Sequence, residues 1–338
     1  MMDLKCSKRE LLYHVGLTAL GATASSVLGS AWAQSPALVN WPQKPVRFIV
    51  PFVPGGTSDI VSRTTANEMT KFLPHPVVIE NKAGGGGVPA MQEVARAAGD
   101  GHTLIMGHVG SMAVNPLIFQ NTGYDVNKDF VPVTLLAKVP SLFVIHPDVP
   151  AKNFKEFVAY AKKNPGNLSF ASYSTGTISH YVGMILNQKA GLDLQHVPFL
   201  GSPPALAQVM GGQIPVMFDG FATSRNLIST GKVQAYAVAS KSRLSQLPDV
   251  PTMTELGYPD LNFSNWMGII TSSSVSPDLA EKIHKAIRAA ALNPKFKERV
   301  VANGFEPSED ASLAQMAQTV KLDFDRNAAI VKQFNIQI

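Results

Sequence analysis

Two stretches of this sequence combine small residues with the polar groups that small-molecule chemistry needs. The first is Pro51-Phe52-Val53-Pro54-Gly55-Gly56-Thr57-Ser58-Asp59. Gly55 and Gly56 let the backbone bend with no side chain in the way, so a guest could come close. Thr57 or Ser58 can cap a helix that starts here. The first turn of such a helix presents unpaired N–H groups and a positive dipole end, which suit an anion such as a carboxylate. The competing reading is an ordinary strand-to-helix connection.

The second stretch runs from Ser172 through Tyr173, Ser174, Thr175 and Gly176 to Thr177, with His180 just beyond. Ser172, Ser174 and His180 have the residue types of a nucleophile and its base. Yet His180 falls on the helix that follows, and no acid stands beside it, so fixing the turn or donating to a ligand is the favoured role for Ser174 and Thr175. A hydrolase built on Ser174, His180 and Asp219 is the runner-up. Asp219 ends a strand, where it either caps the next helix or accepts from a donor on a ligand.

Other catalytic signatures are missing. No G-x-S-x-G elbow exists. Gly84-Gly85-Gly86-Gly87 lacks the Lys-Ser/Thr of a phosphate loop, and Pro89 stands where a dinucleotide fingerprint needs its last glycine. His102, His146, His196 and His284 are scattered, and no H-E-x-x-H or His/Asp cluster suggests a metal. Neither a metal nor a cofactor is expected.

The elements that must position these stretches alternate strand and helix, which predicts α/β layering with largely parallel sheets. Val46 to Val50 reads as a buried strand, and Val61, Thr65, Met69 and Phe72 recur at helical spacing after the Pro-Gly-Gly turn. Strands follow over Pro76 to Glu80 and Thr103 to Met106, the latter leading into a loop that carries His108. Val131 to Ala137 and Leu142 to Ile145 form two extended pieces separated by Lys138 to Ser141. Leu168 to Ser172 and the helix with Ile178, Val182, Ile185 and Leu186 on one face repeat the opening design. Strands at His196 to Phe199, Val216 to Phe218 and Val233 to Ala239 come next, and one more lies near Trp266. Asp278 to Leu292 and Leu313 to Phe334 are amphipathic helices. The chain crosses near residue 138 and returns near residue 238, which implies two lobes with a cleft between them. Ligands of open parallel sheets bind beyond the strands' carboxyl ends, so both small-residue turns should face that cleft.

At 338 residues, 45% hydrophobic and 16% charged, the chain has the composition of a globular protein with a sizeable core. Its net charge is +5, of which +4 remains once Lys5, Lys8 and Arg9 are set against Asp3 and Glu10 and removed. No Lys/Arg run interleaved with aromatics occurs, which speaks against nucleic acid. Those basic residues open a targeting segment: Leu11 to Leu28 is Ala/Gly-rich and apolar, and Ala31-Trp32-Ala33 fits a signal-peptidase site. Residues 1–33 are thus expected to be a signal peptide, with the mature chain starting at Gln34 in the periplasm. Ser7-Lys8-Arg9-Glu10-Leu11-Leu12 also resembles a weakened twin-arginine signal, so the export route stays open. The single cysteine, Cys6, lies in the part to be removed, leaving no thiol in the mature protein.

Taken together, the motifs resemble those of a known family. They are Trp41-Pro42 with Pro45, the Pro51 to Asp59 stretch with Arg63, Glu80-Asn81-Lys82-Ala83-Gly84, and Gly99-Asp100-Gly101-His102-Thr103-Leu104. Asp129-Phe130-x-Pro132-Val133, Gly211-Gly212-Gln213, Met217-Phe218-Asp219 and Pro248-Asp249-Val250-Pro251-Thr252 follow in order. In this sequence they make the mature chain similar to the Bug-type substrate-binding receptors of tripartite tricarboxylate transporters.

That resemblance implies a type II periplasmic-binding-protein fold, with two α/β lobes joined by hinge strands around a central cleft. Residues 34–137 and 238–338 would form one lobe and residues 138–237 the other. It further implies a monomer that binds a small carboxylate-bearing organic acid and delivers it to inner-membrane permease subunits. A receptor that signals to a sensor kinase is the alternative. In the family, backbone N–H groups of two loops hold the carboxylate, and those loops correspond here to Phe52 through Asp59 and Ser172 through Thr177. The ligand-binding set expected is Phe52, Val53, Gly55, Gly56, Thr57, Ser58, Asp59, His108, Ser172, Ser174, Thr175, Gly176, Thr177 and Asp219. The sequence departs from the family pattern at Tyr173, at Ser174, at Phe199-Leu200-Gly201 and at His108, which bears on the pocket's far end. Citrate-like, amino-acid, aliphatic dicarboxylate and aromatic acids all stay open as ligands.

Overall fold

The computed structural model describes residues 41–309 and 312–334. The expected signal peptide, residues 1–33, lies outside the described residues. The fold is that of the unit beginning at Trp41.

The apolar run Val46–Val50 forms β1, buried on both faces, and pairs in parallel with β2 (Val77–Asn81) and β3 (Thr103–His108). Between β1 and β2 lies α1 (Thr57–Met69), and between β2 and β3 lies α2 (Val88–Ala95). A short α3 (Asn115–Ile118) leads to β4 (Phe130–Ile145). The second half of the fold contains α4 (Phe154–Lys163), β5 (Leu168–Ser172), α5 (Ile178–Ala190), β6 (Leu194–Pro198), α6 (Ser202–Met210), β7 (Val216–Gly220), α7 (Phe221–Ser229) and β8 (Gln234–Ala239). The chain then returns through β9 (Ser264–Ser272), α8 (Pro277–Ala291), α9 (Pro294–Ala302), β10 (Glu306–Pro307) and α10 (Leu313–Phe334).

The strand order is β2-β1-β3-β9-β4-β7-β5-β6, with β8 and β10 also paired to β4. The parallel pairs are β1 with β2 and β3, and β5 with β6 and β7, while the crossing strands β4 and β9 run antiparallel to their neighbours. The sequence pattern splits 130–145 into two pieces, and here the structure differs. It is one sixteen-residue strand, of which Phe130 to Pro140 pairs with β9 and Ser141 to Ile145 pairs with β7 and β8. Pro140 lacks an N–H, and the polar interval Lys138 to Ser141 marks where the strand changes partners, not where it ends.

Two helix boundaries differ as well. The sequence places helices over Ala205 to Met210 and Asn226 to Ser229, but α6 and α7 begin earlier, at Ser202 and Phe221. Pro203 in the first turn of α6 costs nothing there, because that N–H has no helical partner. By contrast α8 obeys the local signals: Ser276 accepts from the Leu279 N–H at 3.3 Å, Pro277 follows, and Leu279, Ile283 and Ile287 are buried against the sheet.

One apolar cluster packs β1, β3, β9 and the start of β4 under α1, α8 and α9. A second packs the end of β4, β5, β7 and β8 under α6. A third covers the opposite sheet faces and contains Phe143, whose ring lies 5.1 Å from Phe154, 5.0 Å from Phe157 and 5.3 Å from Phe218. Phe143 thus clamps β4 to α4 and β7. Phe143→Ala should lower unfolding stability by about 3–5 kcal/mol through the cavity it opens. Urea unfolding followed by circular dichroism measures this, and a loss under about 1 kcal/mol would mean the ring cluster does not anchor that strand.

Candidate functional site

The turn between β1 and α1 is held from within. Gly55 has φ +80°, a conformation that residues with a side chain rarely adopt. Its N–H donates to Asp59 Oδ2 at 2.9 Å. Asp59 also accepts from Arg63 Nε at 2.9 Å and, through Oδ1, from Asn81 Nδ2 at 2.9 Å. The same Asn81 amide reaches the Phe52 carbonyl at 3.0 Å. Asp59 is therefore committed to the scaffold of the turn. Burial alone raises its carboxyl pKa, but Arg63, the Gly55 N–H and Asn81 together outweigh that and hold it below the ordinary range.

Neither Thr57 nor Ser58 caps α1. The N-cap is Gly56 in extended backbone, with no side-chain hydrogen bond. The helix start is left to face a cavity lined by Phe52, Gly56, Thr57 and Ser58 on the turn, and by His108, Val139, Ser141, Asn265 and Met267 on the sheet. Tyr173, Ser202 and Gly220 complete it from the second half of the fold. Its empty volume, mouth included, is about 460 Å³.

Strand register explains the sheet-borne part. His108 on β3 lies opposite Met267 on β9, and Asn265, two residues earlier, lies opposite Val139 on β4. Residues two apart on a strand share a face, so Asn265 and Met267, with Val139 and Ser141, present one wall. His108 is 3% exposed. Its Nδ1 accepts the Ser111 N–H at 3.3 Å, so the ring proton sits on Nε2, which has no partner among the described residues. Burial pushes its pKa down to about 4, so the imidazole is neutral at pH 7. The Phe52 ring lies 5.3 Å from the His108 ring and 6.0 Å from Tyr173, edge to face with the latter.

Five of the residues expected from sequence line this cavity: Phe52, Gly56, Thr57, Ser58 and His108. Val53, Ser174 and Thr175 instead line a neighbouring apolar groove with Gly86, Phe199 and Leu200. Gly55, Asp59, Ser172, Gly176, Thr177 and Asp219 line neither. The second loop has its polar groups turned to the protein. Ser172 Oγ meets His196 Nε2 at 2.7 Å, Ser174 Oγ accepts the Gly86 N–H at 3.2 Å, and Thr177 Oγ1 donates to the Ser174 carbonyl at 2.6 Å. Gly176, at φ +76°, leaves no room for a side chain, since a Cβ would fall 2.2 Å from Asn115 Oδ1. What this loop contributes to the cavity is Tyr173.

Asp219 is fully buried and saturated, accepting from Ser202 Oγ at 2.5 Å, Thr223 Oγ1 at 2.6 Å and Ser224 Oγ at 2.7 Å. Its pKa is raised by burial against the pull of these hydroxyls. Ser174, His180 and Asp219 do not converge. His180 Nδ1 accepts the Gly176 N–H at 3.4 Å, and its ring stacks on His196 at 3.9 Å. Among the described residues no group of three His, Cys, Asp or Glu is placed to hold a metal. No described helix is long and apolar enough to cross a membrane. Asn265 and Ser202 join the site without having been expected there, and Tyr173, singled out only as a departure that shapes the pocket, lines it. An asparagine inside the otherwise apolar Trp266 strand region was a visible signal, whereas Ser202 had none.

Two α/β halves around a small cavity, with a helix start and neutral polar groups at its wall, are the architecture of the type II periplasmic-binding-protein fold. The chain belongs to the tripartite tricarboxylate transporter receptor family, TctC, whose model matches residues 61–336. It is 33% identical to a curated protein of Agrobacterium vitis from the ttuE–ttuC′ intergenic region, over 87% of this chain and 85% of that one. It is similar to the solved periplasmic binding protein BugD (34% identity, TM-score 0.84, 88% of this chain and 100% of that one). It is also similar to MatC of Rhodopseudomonas palustris, solved with bound malate (33% identity, TM-score 0.82, 86% of this chain and 99% of that one).

The Asp59 linkage has a pH signature. Since its folded pKa lies below the unfolded value of about 3.9, its stabilisation is present above that pH and is lost as pH falls through the folded pKa. Asp59→Asn keeps the shape without the charge. It should lower the urea midpoint at pH 7 and flatten its decline between about pH 5 and pH 2. Parallel profiles for the two proteins would exclude the carboxylate from the linkage.

Proposed function

We propose that this chain is an exported, monomeric solute receptor that captures a small organic acid through its carboxylate and hands it to inner-membrane permease subunits of the tripartite tricarboxylate type. The observation that carries this reading is the uncapped start of α1, where Gly56, Thr57 and Ser58 open on the cavity. Four N–H groups of a first helical turn lack helical partners, and the dipole there favours negative charge. Among the described residues no charged side chain lines the cavity, so the helix start is its source of positive potential.

The lobes of this reading are residues 34–137 with 238–338, and residues 138–237. Contacts such as Gly86 N–H to Ser174 Oγ and Phe52 against Tyr173 join one to the other, and a ligand that touches both favours the closed arrangement. Release to a permease then requires those few contacts to open. Catalysis is no part of the proposal: the candidate nucleophile, base and acid each serve a different local bond.

Gly56→Asp tests the site directly. A Cβ at Gly56 meets nothing closer than the Val53 carbonyl at 3.7 Å, and its backbone has negative φ, so the substitution fits sterically. It places an anion where the carboxylate should lie. Titration calorimetry against organic acids including malate should show affinity reduced at least about 100-fold, with the thermal melt of the ligand-free protein preserved. Undiminished affinity would remove the carboxylate from α1.

A further inference from the structure

Resting on that receptor reading, we propose that His108 is a dedicated donor to an acceptor oxygen of the bound acid, and that Ser111 and Gly110 are positioning residues that hold its ring in the donating orientation. The signal is a buried ring with one nitrogen bonded to the protein and the other to nothing. The Ser111 N–H donates to Nδ1 at 3.3 Å, which leaves the ring proton on Nε2. His108 is 3% exposed and lines the cavity, and its Nε2 has no partner among the described residues. A buried donor left unpaired is costly, so a guest that accepts from it is favoured over one that does not.

The chain just after His108 sets its ring. A π turn, Gly110–Val114, follows β3 after a single residue, and turns of that kind are rare and recur at functional sites. This one doubles Ser111 back on His108. Ser111 Oγ accepts the His108 N–H at 3.2 Å and donates to the His108 carbonyl at 3.1 Å. The Ser111 carbonyl is held by the Tyr124 hydroxyl at 2.7 Å. Ser111 is fully buried, and each of its polar groups is bonded to His108 or Tyr124. Gly110 gives the ring its room, since a Cβ there would fall 2.8 Å from His108 Cε1 and 2.9 Å from Nδ1.

The place suits an acid. Ile49 pairs with Ile105, and three residues further along each chain Phe52 and His108 stand with ring centres 5.3 Å apart. The imidazole therefore serves the same cavity as the start of α1. Burial keeps it uncharged at pH 7, so it adds a directional hydrogen bond without adding a fixed charge. Such a donor discriminates by position: it favours an acid with an oxygen at that point over one with a methylene there.

The test is heteronuclear NMR on the mature chain carrying isotope-labelled histidine, with His108 assigned as the imidazole signal missing from His108→Gln. The free protein at pH 7 should show His108 as its Nε2–H tautomer. Hydroxy acids, keto acids and diacids of three to six carbons are the probes, and one that raises the melting temperature should shift the His108 Nε2–H resonance. Calorimetry with that acid should give an affinity about 10–100-fold lower for His108→Leu and a smaller loss for His108→Gln, which keeps a donor. Binding of His108→Gln also guards against a His108→Leu variant that fails to fold. Gly110→Ala retains the imidazole but crowds it, and should lower affinity about 10-fold while displacing the His108 signal before any acid is added. An Nδ1–H tautomer in the free protein overturns the proposal and leaves the receptor reading intact. So does an Nε2–H resonance that a bound acid leaves unmoved, which would assign that donor to a structural water only. If no organic acid shifts the melt, the receptor reading falls and the proposal falls with it.

Discussion

The Asp59 carboxylate is the fixed point of this protein. A residue of its type early in a helix ordinarily caps that helix or answers its dipole, and either would fill the place a ligand needs. Here the side chain folds back to Gly55, Asn81 and Arg63, so one carboxylate shapes the turn while the amides of α1 stay open. The positive φ of Gly55 follows from the same arrangement, as does the tie between the Phe52 carbonyl and β2 through Asn81. These bonds hold the turn from within the protein. Under the proposed function, donors held in place this way avoid an ordering cost at the moment of association, which suits a site with no Arg or Lys.

Asp219 answers Asp59 from the other half of the fold, by opposite means. It is fully buried with three hydroxyl donors, and it fixes the starts of α6 and α7 as Asp59 fixes the turn before α1. One carboxylate keeps a helix start available; the other fills the corresponding space. The shared register of β4 and β9 sets Val139, Ser141, Asn265 and Met267 on the wall of the cavity. Because β4 belongs to both halves, the wall is continuous across the change of partners at Pro140.

Much of this was legible in the chain alone. The periodicity around Val46–Val50, the Pro-Gly-Gly turn and the helix after it are local, and local propensities decided them. The α/β class, and the place of Phe52, Gly56, Thr57 and Ser58 at the cavity, came from the same short-range signals. His108 stood out as unusual for its loop and is indeed at the wall. Less visible was that Thr57 and Ser58 leave α1 uncapped, because capping is settled by where Asp59 finds its partners, one of them twenty-two residues away.

The long-range choices lay beyond reach. Ser174, Thr175 and Gly176 have the composition of a ligand loop, yet they are seated on Gly86 and Asn115, residues distant in sequence. Asp219 could cap or bind, and what settled the matter was three hydroxyls brought in from two helices. Asn265 lies just before the strand expected from Trp266, and its facing was not readable until β9 had a register, since a one-residue slip turns every side chain to the other face. By itself, then, the sequence determined the strand–turn–helix units and the chemistry they could offer, because those depend on neighbours a few residues apart. Which of those groups meet, and which are spent on the scaffold, was decided by the tertiary structure, because hydrogen-bond partners in a buried cavity are allotted by packing across the whole fold.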